Sequence, residues 1–193
     1  MRRVFSVLAG PGQPESPPFD LDNRGKRSVV LDLTTEEGRD ECRRLVATAD
    51  VFLTNLRPEA VDRLGLGADE LLAANPRLVY ASVTGYGRDG PDADRAGYDV
   101  GAFWARTGIA RTMVPEDEAP IDIRAGMGDH VTGLTILSGI LAALLQRERT
   151  GTGQLVETSL LRTGIYCVGW DLGIRLRFGK LAPTQPRTSI MNP

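Results

Sequence analysis

Short β-branched runs separated by helix-patterned segments constrain this chain more than any other feature. RSVVLDL (27–33) and DVFLTN (50–55) bracket TTEEGRDECRRLVATA (34–49), whose apolar residues recur at helical spacing behind Thr35, a suitable N-cap. A strand, a helix and a strand in that order form a βαβ unit. The right-handed crossover makes the two strands parallel, so their carboxyl ends, near Leu33 and Asn55, share one edge. Open α/β sheets bind ligands outside that edge. PEAVDRLGL (58–66) and ADELLAANP (68–76) then predict two short helices, and RLVYASVTG (77–85) a third strand. The expected fold class is α/β, a Rossmann-like doubly wound parallel sheet.

Around this frame the chain is less regular. Residues 10–25 are rich in Pro, Gly and Asp, so 1–25 reads as an irregular lead-in to a domain over 26–193. After the third strand, the loop YGRDGPDADRAG (86–97) leads to a helix near Asp99 to Ala110, a charged turn VPEDEAP (114–120) and an extended piece IDIRAG (121–126). A long apolar helix over 130–149, a turn and strand in TGTGQLVETSL (150–160) and a helix through RTGIYCVGWDLGIRLRF (162–178) complete the pattern. The last residues, APTQPRTSIMNP, carry no closing element.

Charge and composition exclude several classes. With 193 residues, 41% apolar, and a net charge of -2 from well-mixed signs, the chain has a core to pack and no broad basic face for nucleic acid or an anionic membrane. Val131 to Gln146 falls short of the ~20 apolar residues that cross a bilayer. MRRVFSVLAG is thin for a signal peptide. Cys42 and Cys167, in helix-like segments, read as reduced small core residues. These features predict a cytoplasmic protein.

Several motifs do not carry the chemistry they suggest. GYGRDG (85–90) matches a dinucleotide fingerprint, but Pro91, Asp92 and Asp94 stand where a phosphate-binding helix should open. The one histidine, His130, lacks the companions a metal site needs, and no G-x-S-x-G elbow is present. Neither a metal centre nor a hydrolase triad is expected.

AGMGDHVTG (125–133) offers more. Asp129 precedes the long helix and fits an N-cap worth about 1 kcal/mol. It also fits chemistry: Gly126 and Gly128 leave its flank open to a bulky electrophile, the positive end of the helix dipole favours the ionised form, and large and small apolar residues along the helix would hold it still. A rigid, accessible, ionised carboxylate is what covalent catalysis by Asp requires. The residues alone leave cap and nucleophile both open.

NRGKRSVVLDLTTEEG (23–38), ADVFLTNLRPEAVDRLGL (49–66), NPRLVYASVTGYGRDGP (75–91), AGYD (96–99), GDHVTG (128–133) and ERTGTGQLVETSLL (148–161), in this order, resemble the family III CoA-transferases. That CaiB/BaiF-type family includes formyl-CoA and carnitine CoA-transferases and the α-methylacyl-CoA racemases. The resemblance runs from about residue 15 to the end. It implies that Asp129 is a nucleophile attacking an acyl-CoA thioester to give an aspartyl acyl anhydride, from which CoA passes to an incoming carboxylic acid. It also implies a coenzyme A site at Leu31, Asp32, Leu33, Thr34, Asn55, Leu56, Arg57, Arg63, Ala96, Gly97 and Tyr98, with no metal. Arg57 and Arg63 suit phosphate oxygens, although a solvated surface charge is an equally good reading of either arginine alone.

Departures from the family shape the expectation. The racemase branch has histidine before the aspartate of the AGYD block; here Tyr98 stands there, and a phenol is a poor base for an α-proton. Transfer is favoured over racemisation. Relative to the family, the large domain in 26–193 reads as truncated at both ends. Family members form interlocked homodimers, so a second copy or a complementing chain is the expected partner, and a non-catalytic remnant or a subunit that needs a second chain is the other alternative to transfer.

Overall fold

The structure is a computed structural model that describes residues 17–115, 118–121, 123–124 and 126–184. Readings placed on 1–16, on Glu116, Asp117, Asp122 and Ala125, and on the tail from 185 lie outside the described residues. The chain divides into two units, Met1–Asp32 and Leu33–Pro193.

In the first unit the expected irregular lead-in contains a helix, α1 (Pro17–Asp22). Prolines at its start cost nothing, because the first N–H groups of a helix have no partner within it. Asn23 closes the helix, its amide donating to the Phe19 carbonyl at 2.8 Å. The strand expected at 27–33 does not form. Residues 26–32 are non-regular, with Val29 and Val30 exposed at 63% and 94%. A β-branched run becomes a strand only where a neighbour pairs with it and a face is buried, and among the described residues neither condition is met here.

The second unit opens with α2 (Glu36–Ala47), capped by Thr35 Oγ1, which accepts from Gly38 N–H at 3.1 Å as its sequence predicts. Then follow β1 (Val51–Thr54), α3 (Pro58–Arg63), α4 (Ala68–Ala74) and β2 (Val79–Thr84). The first parallel crossover is therefore β1 to β2, with Val51 in register with Val79. The helix expected over 99–110 is a π-helix, Asp99–Ala105, and a short α5 (Ile109–Thr112), parted by Gly108 at φ 83°. Next come α6 (Met127–Thr150), β3 (Leu155–Ser159), α7 (Leu160–Cys167) and α8 (Gly169–Phe178), the last two broken at Val168 where one helix was expected.

The sheet is parallel throughout, in the order β1-β2-β3. Side chains alternate across β2. Leu78 and Tyr80 pack with Val46, Val61, Leu66 and Leu71 from α2 to α4, whereas Val79 and Ala81 pack with Ile136, Ile140 and Ala143 of α6. Helices thus cover both faces, the α/β arrangement expected. α6 has 24 residues, and an 18-residue stretch of it has a mean hydropathy of 1.4, the length and composition to cross a bilayer. In this fold its line Gly128, Thr132, Ile136, Ile140, Ala143 and Arg147 is buried against the protein, while Leu134, Leu137, Leu141 and Leu145, expected to help lock the helix, are exposed. Of the two cysteines, Cys42 packs beside the α2 core and burial pushes its thiol up against the opposing pull of Arg43. Cys167 is exposed rather than a core residue.

Tyr80 is fully buried and donates its hydroxyl to the Leu66 carbonyl at 3.0 Å. Removing it in Tyr80→Phe leaves that carbonyl unpaired, at an expected cost of about 1 kcal/mol in a denaturant midpoint. Burial pushes the phenol pKa up, with Arg88 pulling it down. The folded state therefore holds this proton more tightly than the unfolded one. Its stabilisation is complete below about pH 10, the ordinary phenol value, and is lost as pH rises beyond it. Tyr80→Phe should flatten the alkaline limb of stability against pH; an unchanged limb would contradict the assignment.

Candidate functional site

The last turn of α6 fixes which edge of the sheet its first turn reaches. Arg147 is buried, and its guanidinium donates to Asp50 Oδ1 at 2.8 Å and to the Arg77 carbonyl at 3.1 Å, the residues that lead into β1 and β2. From Arg147 back to Asp129 the helix rises about 27 Å at 1.5 Å per residue, close to the length of β2 with its lead-in at about 3.3 Å per residue. Asp129 therefore stands at the carboxyl edge of the parallel sheet, where open α/β sheets bind ligands.

At that edge Asp129 is exposed and lies in the first turn of α6, but it is not the cap. The N-cap is Gly126, at φ 99°, a residue with no side chain of its own to cap the helix. Only glycine adopts that left-handed conformation without strain, and it lets the helix begin one turn earlier than the sequence suggests. Gly128 also differs from expectation. A Cβ there would lie 2.2 Å from Asp99 Oδ1 and 2.4 Å from the Phe103 ring, so its bare flank faces the protein interior rather than an incoming ligand.

Asp99 is the residue that sequence reasoning missed. It is 3% exposed, opens the π-helix, and its Oδ2 accepts from Gly126 N–H at 2.5 Å. Local π-geometry recurs at functional sites. A carboxylate followed by the apolar pair Phe103 and Trp104 was the available signal, but only the fold shows that it meets the Asp129 turn.

The other expected site residues fall into groups. Asn55, Leu56 and Arg57 directly follow β1 and are exposed. Arg57 donates to the Asp94 carbonyl at 3.1 Å and Glu59 N–H to Asp94 Oδ1 at 3.0 Å, which ties this segment to the loop carrying Ala96, Gly97 and Tyr98. That loop is pinned to the end of β2, since a Cβ on Gly97 would sit 2.6 Å from the Gly85 Cα. Tyr98 is 81% exposed and adjoins Asp99, so the Arg57, Tyr98 and Asp129 segments are linked in series through Asp94, Asp99 and Gly126. Arg63, at the far end of α3, is exposed and paired with Glu59 at 3.9 Å. Leu33 packs on the α2 core, and Arg39 donates to the Leu33 and Thr34 carbonyls at 3.2 and 3.0 Å. Leu31 is half-buried and Asp32 exposed, both in the first unit. GYGRDG is bent, irregular chain, and the next helix begins only at Asp99, so no helix opens at its third glycine.

This arrangement has solved counterparts. A CAIB/BAIF family protein from Brucella suis superposes with a TM-score of 0.79 at 38% identity, covering 86% of this chain and 44% of that one. Among curated relatives, a probable fatty acyl-CoA transferase of Mycobacterium tuberculosis is 40% identical over 96% of this chain and 46% of its own length. An (R)-2-hydroxy-4-methylpentanoate CoA-transferase of Clostridioides difficile is 36% identical over 80% of this chain and 39% of its own. The chain thus spans less than half the length of these relatives. The family model described as CoA-transferase family III matches residues 1–192, and with these likenesses in sequence and fold it shows that the chain belongs to CoA-transferase family III.

Proposed function

We propose that the chain carries the nucleophile and part of the coenzyme A site of an enzyme that moves CoA from an acyl-CoA thioester to a carboxylic acid. The observation that carries this reading is the exposed Asp129 carboxylate in the first turn of a helix whose N-terminus reaches the carboxyl edge of a parallel sheet. In this reading an Asp129 oxygen attacks the thioester carbonyl, the C–S bond breaks, and CoA leaves as thiolate. The resulting aspartyl anhydride keeps the acyl group activated. The incoming carboxylate attacks the aspartyl carbonyl carbon of the anhydride and displaces the donor's acid as carboxylate; the thiolate then attacks the new acyl carbonyl, which forms the new thioester and frees the Asp129 carboxylate.

Leu31, Asp32, Leu33, Thr34, Asn55, Leu56, Arg57, Arg63, Ala96, Gly97 and Tyr98 form the proposed CoA-binding set. Arg57 is exposed and, among the described residues, donates to one carbonyl, which leaves N–H donors for phosphate oxygens. Tyr98 in place of a histidine supports transfer rather than racemisation. The proposal includes a cytoplasmic location and association with a second copy or with a chain supplying the rest of the relatives' length. Apolar side chains left at the surface support association: Leu134 is 65% exposed, Trp170 91%, Leu176 77% and Phe178 70%.

The test follows an isotope-labelled carboxylic acid, from the 2-hydroxy acids and dicarboxylic acids named for relatives, into its CoA thioester in the presence of an unlabelled acyl-CoA donor. Labelled thioester formed in step with loss of the donor supports transfer. Deuterium uptake at the α-carbon of a 2-methylacyl-CoA, without exchange, would support racemisation instead.

A further inference from the structure

We propose that Asp99 is a positioning residue for Asp129: its buried carboxylate clamps the first turn of α6 against the π-helix, so that the Asp129 side chain keeps one presentation toward the thioester. This inference rests on the reading of Asp129 as nucleophile.

Both oxygens of Asp99 lie against the backbone of the turn. Oδ2 accepts the Gly126 N–H at 2.5 Å, and Oδ1 lies so near Gly128 that a Cβ there would come within 2.2 Å of it. Among the described residues Oδ1 has no hydrogen-bond partner, so the polar contact this carboxylate makes there goes to the turn that carries Asp129. Carboxylates are costly to bury, and filling space beside Phe103 needs only an apolar side chain. The cost is offset here by a charge-assisted bond to an N–H group at the positive end of α6.

Asp99 is itself held. The chain just before it crosses the end of β2 at the Gly85–Gly97 contact, and its π-helix buries Ala102, Phe103 and Trp104. One end of the clamp is therefore rooted in the sheet, and the other grips the turn three residues before the nucleophile. Below Asp129, the buried Thr132 and Ile136 fix the helix axis. Gly128 packs the first turn on Phe103, and Asp99 ties the backbone of that turn to the π-helix.

The experiment uses the full 193-residue chain and compares wild type, Asp99→Ala and Asp99→Asn. Amide exchange followed residue by residue should rise about tenfold or more at Gly126 to His130 in Asp99→Ala, while amides of β2 keep their protection. Capture of an acyl group from acyl-CoA, read as thiol release in one turnover, should fall about 100-fold with CoA affinity held within about threefold. Asp99→Asn, which keeps the accepting oxygen, should recover most of both effects and covers the case in which the alanine variant fails to fold. Unchanged exchange at Gly126 to His130, or equal loss of protection throughout the sheet, would overturn the proposal, as would unchanged capture or an Asn variant no better than Ala. If wild type captures no acyl group, the nucleophile reading fails, and the exchange data still decide separately whether Asp99 holds the turn.

Discussion

Asp129→Asn is expected to give a chain that folds and binds CoA yet takes up acyl groups more slowly by on the order of 1,000-fold or more, because an amide cannot form the anhydride. The variant separates chemistry from stability. Asp129 is exposed and is not the N-cap residue, and the helix-dipole effect of a first-turn carboxylate is about 0.5 kcal/mol. In a chain of this size that moves a thermal midpoint by about 1–2 °C. Had Asp129 been the N-cap, the loss would be larger and activity would fall with the fold. A thermal scan beside single-turnover thiol release checks both halves. Near-normal capture in Asp129→Asn would remove this residue from the mechanism.

Gly128→Ala should be the most damaging single methyl group near the site. The added carbon would meet Asp99 Oδ1 at 2.2 Å and two Phe103 ring carbons at 2.4 and 2.6 Å. Both neighbours are 3% exposed, so neither can swing into solvent. Overpacking of this kind costs about 2 kcal/mol, a midpoint loss of about 4–8 °C. Displacing the turn should also slow acyl capture about 100-fold. Gly133 on the same helix provides the control, since a Cβ there meets nothing within 4 Å. Gly133→Ala should stabilise by up to about 1 kcal/mol through helix propensity and leave capture unchanged. Equal effects from the two substitutions would show that the first turn of α6 is not packed as described.

The contrast between these glycines marks how far the sequence could be read. Strand and helix types for 34–85 were legible because β-branched runs and helical spacing are local signals, and Thr35 caps α2 as its position suggests. The run at 27–33 carried the same local signal without the pairing partner that makes a strand, which no local pattern reports. Asp129 was legible as the residue of interest. Its helical position was not, because the start of α6 depends on the left-handed backbone at Gly126 rather than on cap propensity. Asp99 was invisible as a site residue, since its part arises from a contact across 27 positions in sequence. The role of Gly128 was misread for the same reason: an absent side chain looks alike whether it faces a ligand or a buried ring.

The central claim is that Asp129 takes an acyl group from CoA. It is tested most directly by incubating the folded, CoA-binding chain with an acyl-CoA and hydroxylamine, then mapping its peptides by mass. The account predicts an aspartyl hydroxamate on the peptide containing Asp129, dependent on acyl-CoA and absent from Asp129→Asn. An unmodified Asp129 in a sample that binds CoA, or a hydroxamate on another carboxylate, would contradict it.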